Sequence, residues 1–256
     1  MARTAEGARL TEVHRAAQLA ARAGSLSELV RIWRVVDPTN LSGTVDTFAR
    51  AAAILAGRGS DQSGVISARY YPLFRRVEIG AAGAAIRPAT SISIEAMAGE
   101  IRGAALSGVI DARRAGLSVP LAADRGLVRV AGTIAKLIMN GGRRTIIDGI
   151  HADRQALGYA RVTSGDPCAF CRMLAGRGPV YKSERSAGFE PHGSCGCTGE
   201  PVYAGSKPVG DAKRYAAEYA TAQKVAADQG TSSSGTTNDA LNNYRRFLAG
   251  TTEESG

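Results

Sequence analysis

Aromatic residues are scarce in this 256-residue chain, at 5%: one Trp, eight Tyr and five Phe. A core built on sheets draws on aromatic and β-branched side chains, so the shortage argues against one. No apolar run reaches the ~20 residues that a bilayer demands, and Met1-Ala-Arg-Thr4 opens on a polar, charged stretch with no signal-peptide character. The expectation is a chain made in the cytoplasm that does not enter a membrane, with thiols kept reduced. Histidine is scarcer still, at three residues (His14, His151 and His192), and no G-x-S-x-G elbow occurs. A Ser/His/acid centre would have to draw on one of those three. No internal repeat is evident.

What the chain holds instead is alanine, 31 glycines and an excess of basic charge. Hydrophobic residues reach 44%, and the small ones suit helices that pack closely through short side chains. The formal charge of +9 is concentrated: residues 1–157 carry 21 Lys and Arg against 13 Asp and Glu, residues 158–205 carry 5 against 4, and the rest 6 against 6. Such a surplus fits contact with nucleic acid or another polyanion. The arginines are dispersed, however, with no interleaved aromatics to stack on bases, which favours a solvated Arg-rich surface.

Periodicity predicts a mainly α protein. Residues 9–36 read as helix broken at Gly24-Ser25, with Leu26, Leu29, Val30, Ile32, Trp33 and Val36 as its apolar set. Helices follow over 44–56, 61–79 and 92–116, with a turn at Gly57-Arg-Gly59-Ser60 and a kink or late start at Pro72. A further helix over 121–157 is split at Asn140-Gly141-Gly142, with Val128, Ala131, Ala135, Leu137 and Ile138 as core candidates. The expected organisation is a helical domain over 1–157, a small α+β Cys/His module over 158–205, and a helical tail over 206–256. Tyr159–Val162, Val180-Tyr181 and Val202-Tyr203 are the β-prone pieces of the module. The tail holds a helix over Asp211–Asp228, a flexible Ser/Thr/Gly linker, and a short amphipathic piece with Leu241, Tyr244, Phe247 and Leu248. That layout reads either as a mobile tail that docks on something or as a frayed terminus.

All four cysteines lie in the module, as Cys168-Ala-Phe-Cys171 and His192-Gly-Ser-Cys195-Gly-Cys197. Each half supplies donors from a tight turn, the arrangement of a tetrahedral structural zinc site. Cys168 and Cys171 would be joined by two of His192, Cys195 and Cys197. Disulfides are the competing reading. A thioredoxin-like redox pair fits poorly, because it expects a strand–helix setting in an α/β fold. A deaminase-like centre finds its Pro167-Cys168-x-x-Cys171 half, but His151 is followed by Ala152-Asp153 and not by x-Glu. For a protease, His151 beside Asp148 and Asp153 is a candidate base, with Ser164 or Ser107 as nucleophiles of no fixed setting. His14 sits in an amphipathic helix, and a Cys nucleophile with His192 is better explained by metal.

The stretch Arg161-Val-Thr-Ser-Gly-Asp-Pro-Cys168-Ala-Phe-Cys171, with Gly178-Pro-Val-Tyr181, Phe189-Glu-Pro-His192-Gly-Ser-Cys195-Gly-Cys197-Thr and Glu200-Pro-Val-Tyr203, resembles the C-terminal signature of tailed-phage minor head proteins. The likeness is to the Mu F-like head-morphogenesis family, in its actinobacteriophage form. It covers about 45 residues, and over the helical part rests on layout alone. The resemblance implies a minor capsid protein with a structural role in procapsid assembly near the portal, located in the virion interior. The implied partners are the portal and the major capsid or scaffold protein, with packaged DNA as a further contact of the basic N-terminal region. By position, the family's ligands would be Cys168, Cys171, His192, Cys195 and Cys197, holding zinc; with Gly193-Ser194 before Cys195, His192 is the single histidine available. Related proteins are often labelled capsid maturation proteases, which makes cleavage of scaffold or capsid protein the alternative activity. An internal DNA-contacting virion protein is a second alternative.

Overall fold

The computed structural model describes residues 2–163, 165, 167–178, 193–207, 211–230 and 237–253. Among them are α1 (Ala5–Trp33), α2 (Leu41–Ile79), α3 (Ile94–Arg114) and α4 (Val119–Ala152), then β1 (Gly158–Val162), α5 (Ala169–Gly176) and β2 (Thr198–Val202), then α6 (Asp211–Asp228) and α7 (Thr237–Glu253). The protein is therefore mainly α with one small sheet. No helix of the described residues is long and apolar enough to cross a membrane.

Local chemistry sets the helix ends. Thr4 caps α1 by accepting a hydrogen bond from the Gly7 amide at 2.9 Å, and Ser93 does the same for α3 from Ala96 at 3.2 Å. Pro120 occupies the first turn of α4, where its missing N–H costs nothing. Gly80 ends α2 with φ 81°, a left-handed conformation that glycine adopts without strain.

The long helices correct the expected breaks. α1 runs through Gly24-Ser25, α2 through Gly57, Gly59 and the half-buried Pro72, and α4 through Asn140-Gly141-Gly142. Glycine inside a helix costs about 1 kcal/mol relative to alanine, so something offsets it. At the crossing of α2 and α4 that something is close approach. A Cβ on Gly141 would run into the Ser60 carbonyl oxygen, and one on Gly142 would meet the side chains of Gln18, Ser63 and Ser67. Polar groups line the crossing: Gly142 N–H donates across it to Ser63 Oγ at 2.9 Å, Gln18 Nε2 of α1 donates to the Ser63 carbonyl at 2.8 Å, and within α4 Thr145 Oγ1 donates to the Gly141 carbonyl at 2.8 Å.

Two apolar clusters sit on either side of this polar belt. One joins Leu29 and Trp33 of α1, Val45, Phe48 and Ala52 of α2, Met97 and Ile101 of α3, and Val130, Ile134 and Ile138 of α4. Val128, expected in the core, is 65% exposed and faces away from it. The other cluster gathers a third of the scarce aromatics: Tyr70, Tyr71 and Phe74 of α2 pack on Ile146 and Ile150 of α4, Tyr159 of β1, and Tyr203. It fastens the bundle to the sheet. Deeper in the same joint, Thr11 of α1 donates to Glu200 of β2 at 2.5 Å and bonds the Tyr70 hydroxyl at 2.8 Å. Beside it the buried Arg75 guanidinium pairs with Asp153 at 2.7 Å.

β1 and β2 pair antiparallel, from Gly158 opposite Val202 to Val162 opposite Thr198. Pro201 is tolerated because each strand of a two-stranded sheet has a free edge. α5 and the cysteine turn lie between the two strands in sequence, so the sheet frames them, as expected from Tyr159–Val162 and Val202-Tyr203. Val180-Tyr181 and the 231–236 part of the linker lie outside the described residues. The tail does dock, and it docks on its own chain: Leu241 and Tyr244 of α7 bury against Ala169, Met173 and Leu174 of α5 and Ala222 of α6. The Tyr244 hydroxyl donates to Glu218 at 2.9 Å.

Candidate metal centre

Cys168 stands at the N-cap of α5, and Cys171 lies one turn in, its thiol facing the other half of the motif. A helix N-terminus favours a thiolate at that position, through its unpaired amides and dipole. Cys195 and Cys197 follow Ser194, whose φ of 63° turns the chain sharply before β2 begins at Thr198. The i, i+2 spacing of an extended segment lets both thiols reach one centre.

The Sγ atoms of Cys171, Cys195 and Cys197 all lie within 4.8 Å of one another, and each residue is at most 2% exposed. Cys171 Sγ and Cys195 Sγ are 3.6 Å apart. Tetrahedral zinc with ~2.3 Å Zn–S bonds sets neighbouring sulfurs ~3.8 Å apart, so the spacing suits a shared ion. None of the four cysteines is in a disulfide, which leaves the disulfide reading without support. The group can hold a metal ion.

Electrostatics prepare it to do so. The hydrogen bond from Cys171 and that from Cys197 hold the Cys195 thiol well below its ordinary range, with Arg143 adding to the effect. Its neighbours move the other way: contacts with Cys168, Cys195 and Cys197 push Cys171 far up. For Cys197 the Cys171 contact pulls down, but the Cys195 contact and burial prevail, and the thiol is pushed up to about 11. The three thiols titrate as one coupled group, and a bound cation would displace their protons.

Of the five residues expected to ligate, three are brought together. Cys168 is exposed, although its thiol interacts with that of Cys171. His192 lies outside the described residues, so the fourth donor is one of these two by proposal. Sequence reasoning missed Arg143. Its guanidinium is 2% exposed and donates from Nη2 to the Cys195 carbonyl at 2.7 Å, from Nε to the Cys197 carbonyl at 3.0 Å, and from Nη1 to Asn140 Oδ1 at 2.9 Å. Burial lowers its pKa to about 10, against the pull of the Cys195 and Cys197 sulfurs. The signal was present in the pattern: Met139, Arg143, Ile146 and Ile150 share one buried stripe, and an arginine on such a stripe needs partners.

The residues considered for catalysis are scattered. His151 is exposed in the last turn of α4, and Ser107 is half-buried on α3 with its hydroxyl on the Ala104 carbonyl at 3.3 Å. Ser164 lies outside the described residues. His14 belongs to the polar belt: its ring stacks on Tyr70 at 4.2 Å, Nε2 bonds Ser67 Oγ at 2.8 Å, and Nδ1 has no partner among the described residues. Burial lowers its pKa from 6.5 to about 4. Between those values the unfolded chain binds a proton that the folded chain refuses. Stability from this group is therefore complete above pH 6.5 and declines as the pH falls toward 4, by about 2 kcal/mol at pH 5. Urea titrations at pH 7 and pH 5 should show that loss, and His14→Gln should remove most of it.

No curated protein and no solved structure matches the chain. The family model described as VG15 protein matches residues 3–222, which takes in the four long helices, both strands and all four cysteines. That family of viral gene products points to a phage protein. On a match covering most of its length, the chain belongs to the VG15 protein family.

Proposed function

We propose that the chain is a minor head protein of a tailed phage, acting structurally in procapsid assembly near the portal, with zinc at Cys171, Cys195 and Cys197 as a staple. The observation that carries the structural reading is the donor set. Catalytic zinc centres mix histidine and carboxylate donors and keep a position open to water or substrate. Here the donors brought together are thiols, at most 2% exposed, at the joint between a helical bundle and a small module. Membership of the VG15 family supports the phage setting, and the Mu F-like resemblance over residues 161–203 supports the head-morphogenesis role. The expected partners are the portal and the major capsid or scaffold protein, with packaged DNA a further contact for the basic N-terminal region.

Co-expression with portal, scaffold and major capsid protein from the same phage tests this. The chain should sediment with procapsids and leave scaffold and capsid protein at full length. Particles that assemble without it, or scaffold cleavage that appears only in its presence, contradict the structural reading. The second outcome would put a maturation protease in its place.

A further inference from the structure

We infer that Arg143 is the positioning residue of the metal centre: from inside α4 it fixes the Cys195-Gly-Cys197 turn and supplies the buried positive charge that a thiolate-rich site needs. The inference rests on the metal-binding reading of the cluster.

Two donors of one planar guanidinium reach the carbonyls of two ligand residues in the same turn, at 2.7 and 3.0 Å. Because the fork is rigid, it fixes the separation of those carbonyls and hence the directions of the two Cα–Cβ bonds that carry the sulfurs. A third donor is tied to Asn140 one turn earlier on the same helix, at 2.9 Å, so the fork itself is held. The turn meets α4 a second time: the Ser194 amide donates to the Gly132 carbonyl at 3.0 Å, about three helical turns before Arg143. A Cβ on Gly132 would meet Ser194 Oγ at 2.9 Å and the Ser194 amide nitrogen at 3.4 Å, so the turn lies in close contact with the helix here. These contacts hold Ser194 in a left-handed backbone conformation that a non-glycine residue adopts only against a steric penalty.

Charge points the same way. A divalent ion with three or four thiolates is a net anion, and an anion out of water is costly unless a cation lies beside it. Arg143 is such a cation, alongside the buried Arg161 that also acts on Cys197, and its stem continues the buried stripe of Met139 and Ile146. Lysine cannot replace it, since a single ammonium cannot span both carbonyls in a fixed plane.

A purely structural clamp would affect folding without altering the metal. Cobalt(II) separates the two, because its visible bands report thiolate number and geometry. The full chain, Arg143→Lys and Asn140→Ala would each be loaded with cobalt(II), and zinc affinity measured by competition with a chromophoric chelator, far-UV circular dichroism confirming the fold. Arg143→Lys is expected to lower zinc affinity about 10–100-fold and shift the cobalt bands at unchanged helicity. Asn140→Ala, which removes one of the described anchors of the guanidinium, should move both readouts in the same direction by less. A folded Arg143→Lys protein with wild-type affinity and spectrum overturns the inference. If Arg143→Lys does not fold, Asn140→Ala decides alone, and an unchanged spectrum and affinity overturn it. A wild-type chain that takes up no metal defeats the metal reading itself, whereas an Arg143→Lys protein indistinguishable from a metal-binding wild type defeats only the role of Arg143.

Discussion

Serine at both Cys171 and Cys195 is expected to abolish stoichiometric metal binding and to lower the melting temperature by roughly 10 °C. The magnitude follows from linkage: an ion present at a thousandfold excess over its dissociation constant contributes about 4 kcal/mol. For a chain of this size each kcal/mol moves the midpoint by about 2–4 °C. Apart from the aromatic joint to the bundle and the contacts of α5 with α6 and α7, the module has little of its own to rely on. α5 is eight residues long, too short to be helical alone, and a two-stranded sheet is marginal in water. The three sulfurs form a cluster of their own, apart from the larger apolar cores. Losing the ion should therefore free β2 and the cysteine turn from α4 first, and hydrogen exchange at Thr198–Val202 should rise before that of the bundle. Cys168→Ser serves as the comparison: full loss of metal assigns Cys168 as the fourth donor, and retention assigns His192. A double variant that melts with the wild type at full helicity contradicts the staple.

Gly141→Ala is expected to destabilise the bundle by about 2 kcal/mol or more, the opposite of what helix propensity alone suggests. Alanine gains about 1 kcal/mol over glycine in a helix interior. Overpacking a tight core costs about 1–3 kcal/mol, and more when the obstacle is rigid. At Gly141 the obstacle is the Ser60 backbone carbonyl, which cannot rotate away, so α2 and α4 must separate and loosen the hydrogen bond from the Gly142 amide to Ser63 Oγ. Gly99 and Gly103, exposed on α3 with nothing within 4 Å of an added Cβ, are the controls. Alanine there should raise stability by about 0.5–1 kcal/mol. Urea unfolding of the three variants separates the two effects, and a Gly141→Ala chain as stable as the controls removes the close-packing account of the glycines.

Those glycines also show where sequence reading stops. Read locally, Gly24-Ser25, Gly57-x-Gly59 and Asn140-Gly141-Gly142 are punctuation. In the fold they lie inside α1, α2 and α4: at Gly59, Gly141 and Gly142 a partner helix more than seventy residues away fills the space of the missing side chain, Gly57 meets Ile94 of α3, and Gly24 meets nothing within 4 Å. Where no distant partner intervenes, the pattern was legible. The expected helix over Asp211–Asp228 is α6 residue for residue, and of Ile94, Met97, Ile101, Ala105 and Leu106, whose spacing puts them on one face of α3, Met97, Ile101 and Ala105 are buried, Leu106 is partly buried and Ile94 is exposed. The cysteine spacing likewise announced a shared centre, since ligands carry their chemistry in their identity. Arg143 did not announce itself. Its meaning depends on two carbonyls that arrive from more than fifty residues downstream, and only its place among Met139, Ile146 and Ile150 hinted that it was buried. For the tail the sequence left docking and fraying both open, and its receiving surface on α5 and α6 is a tertiary fact.

Metal analysis of the purified full-length chain is the most direct test of the account. Elemental analysis by mass spectrometry, after dialysis against metal-free buffer, should find one zinc per chain. A metal-free chain that is nonetheless fully folded, and whose thermal stability does not respond to added zinc, would contradict the proposal that Cys171, Cys195 and Cys197 hold the module shut around an ion.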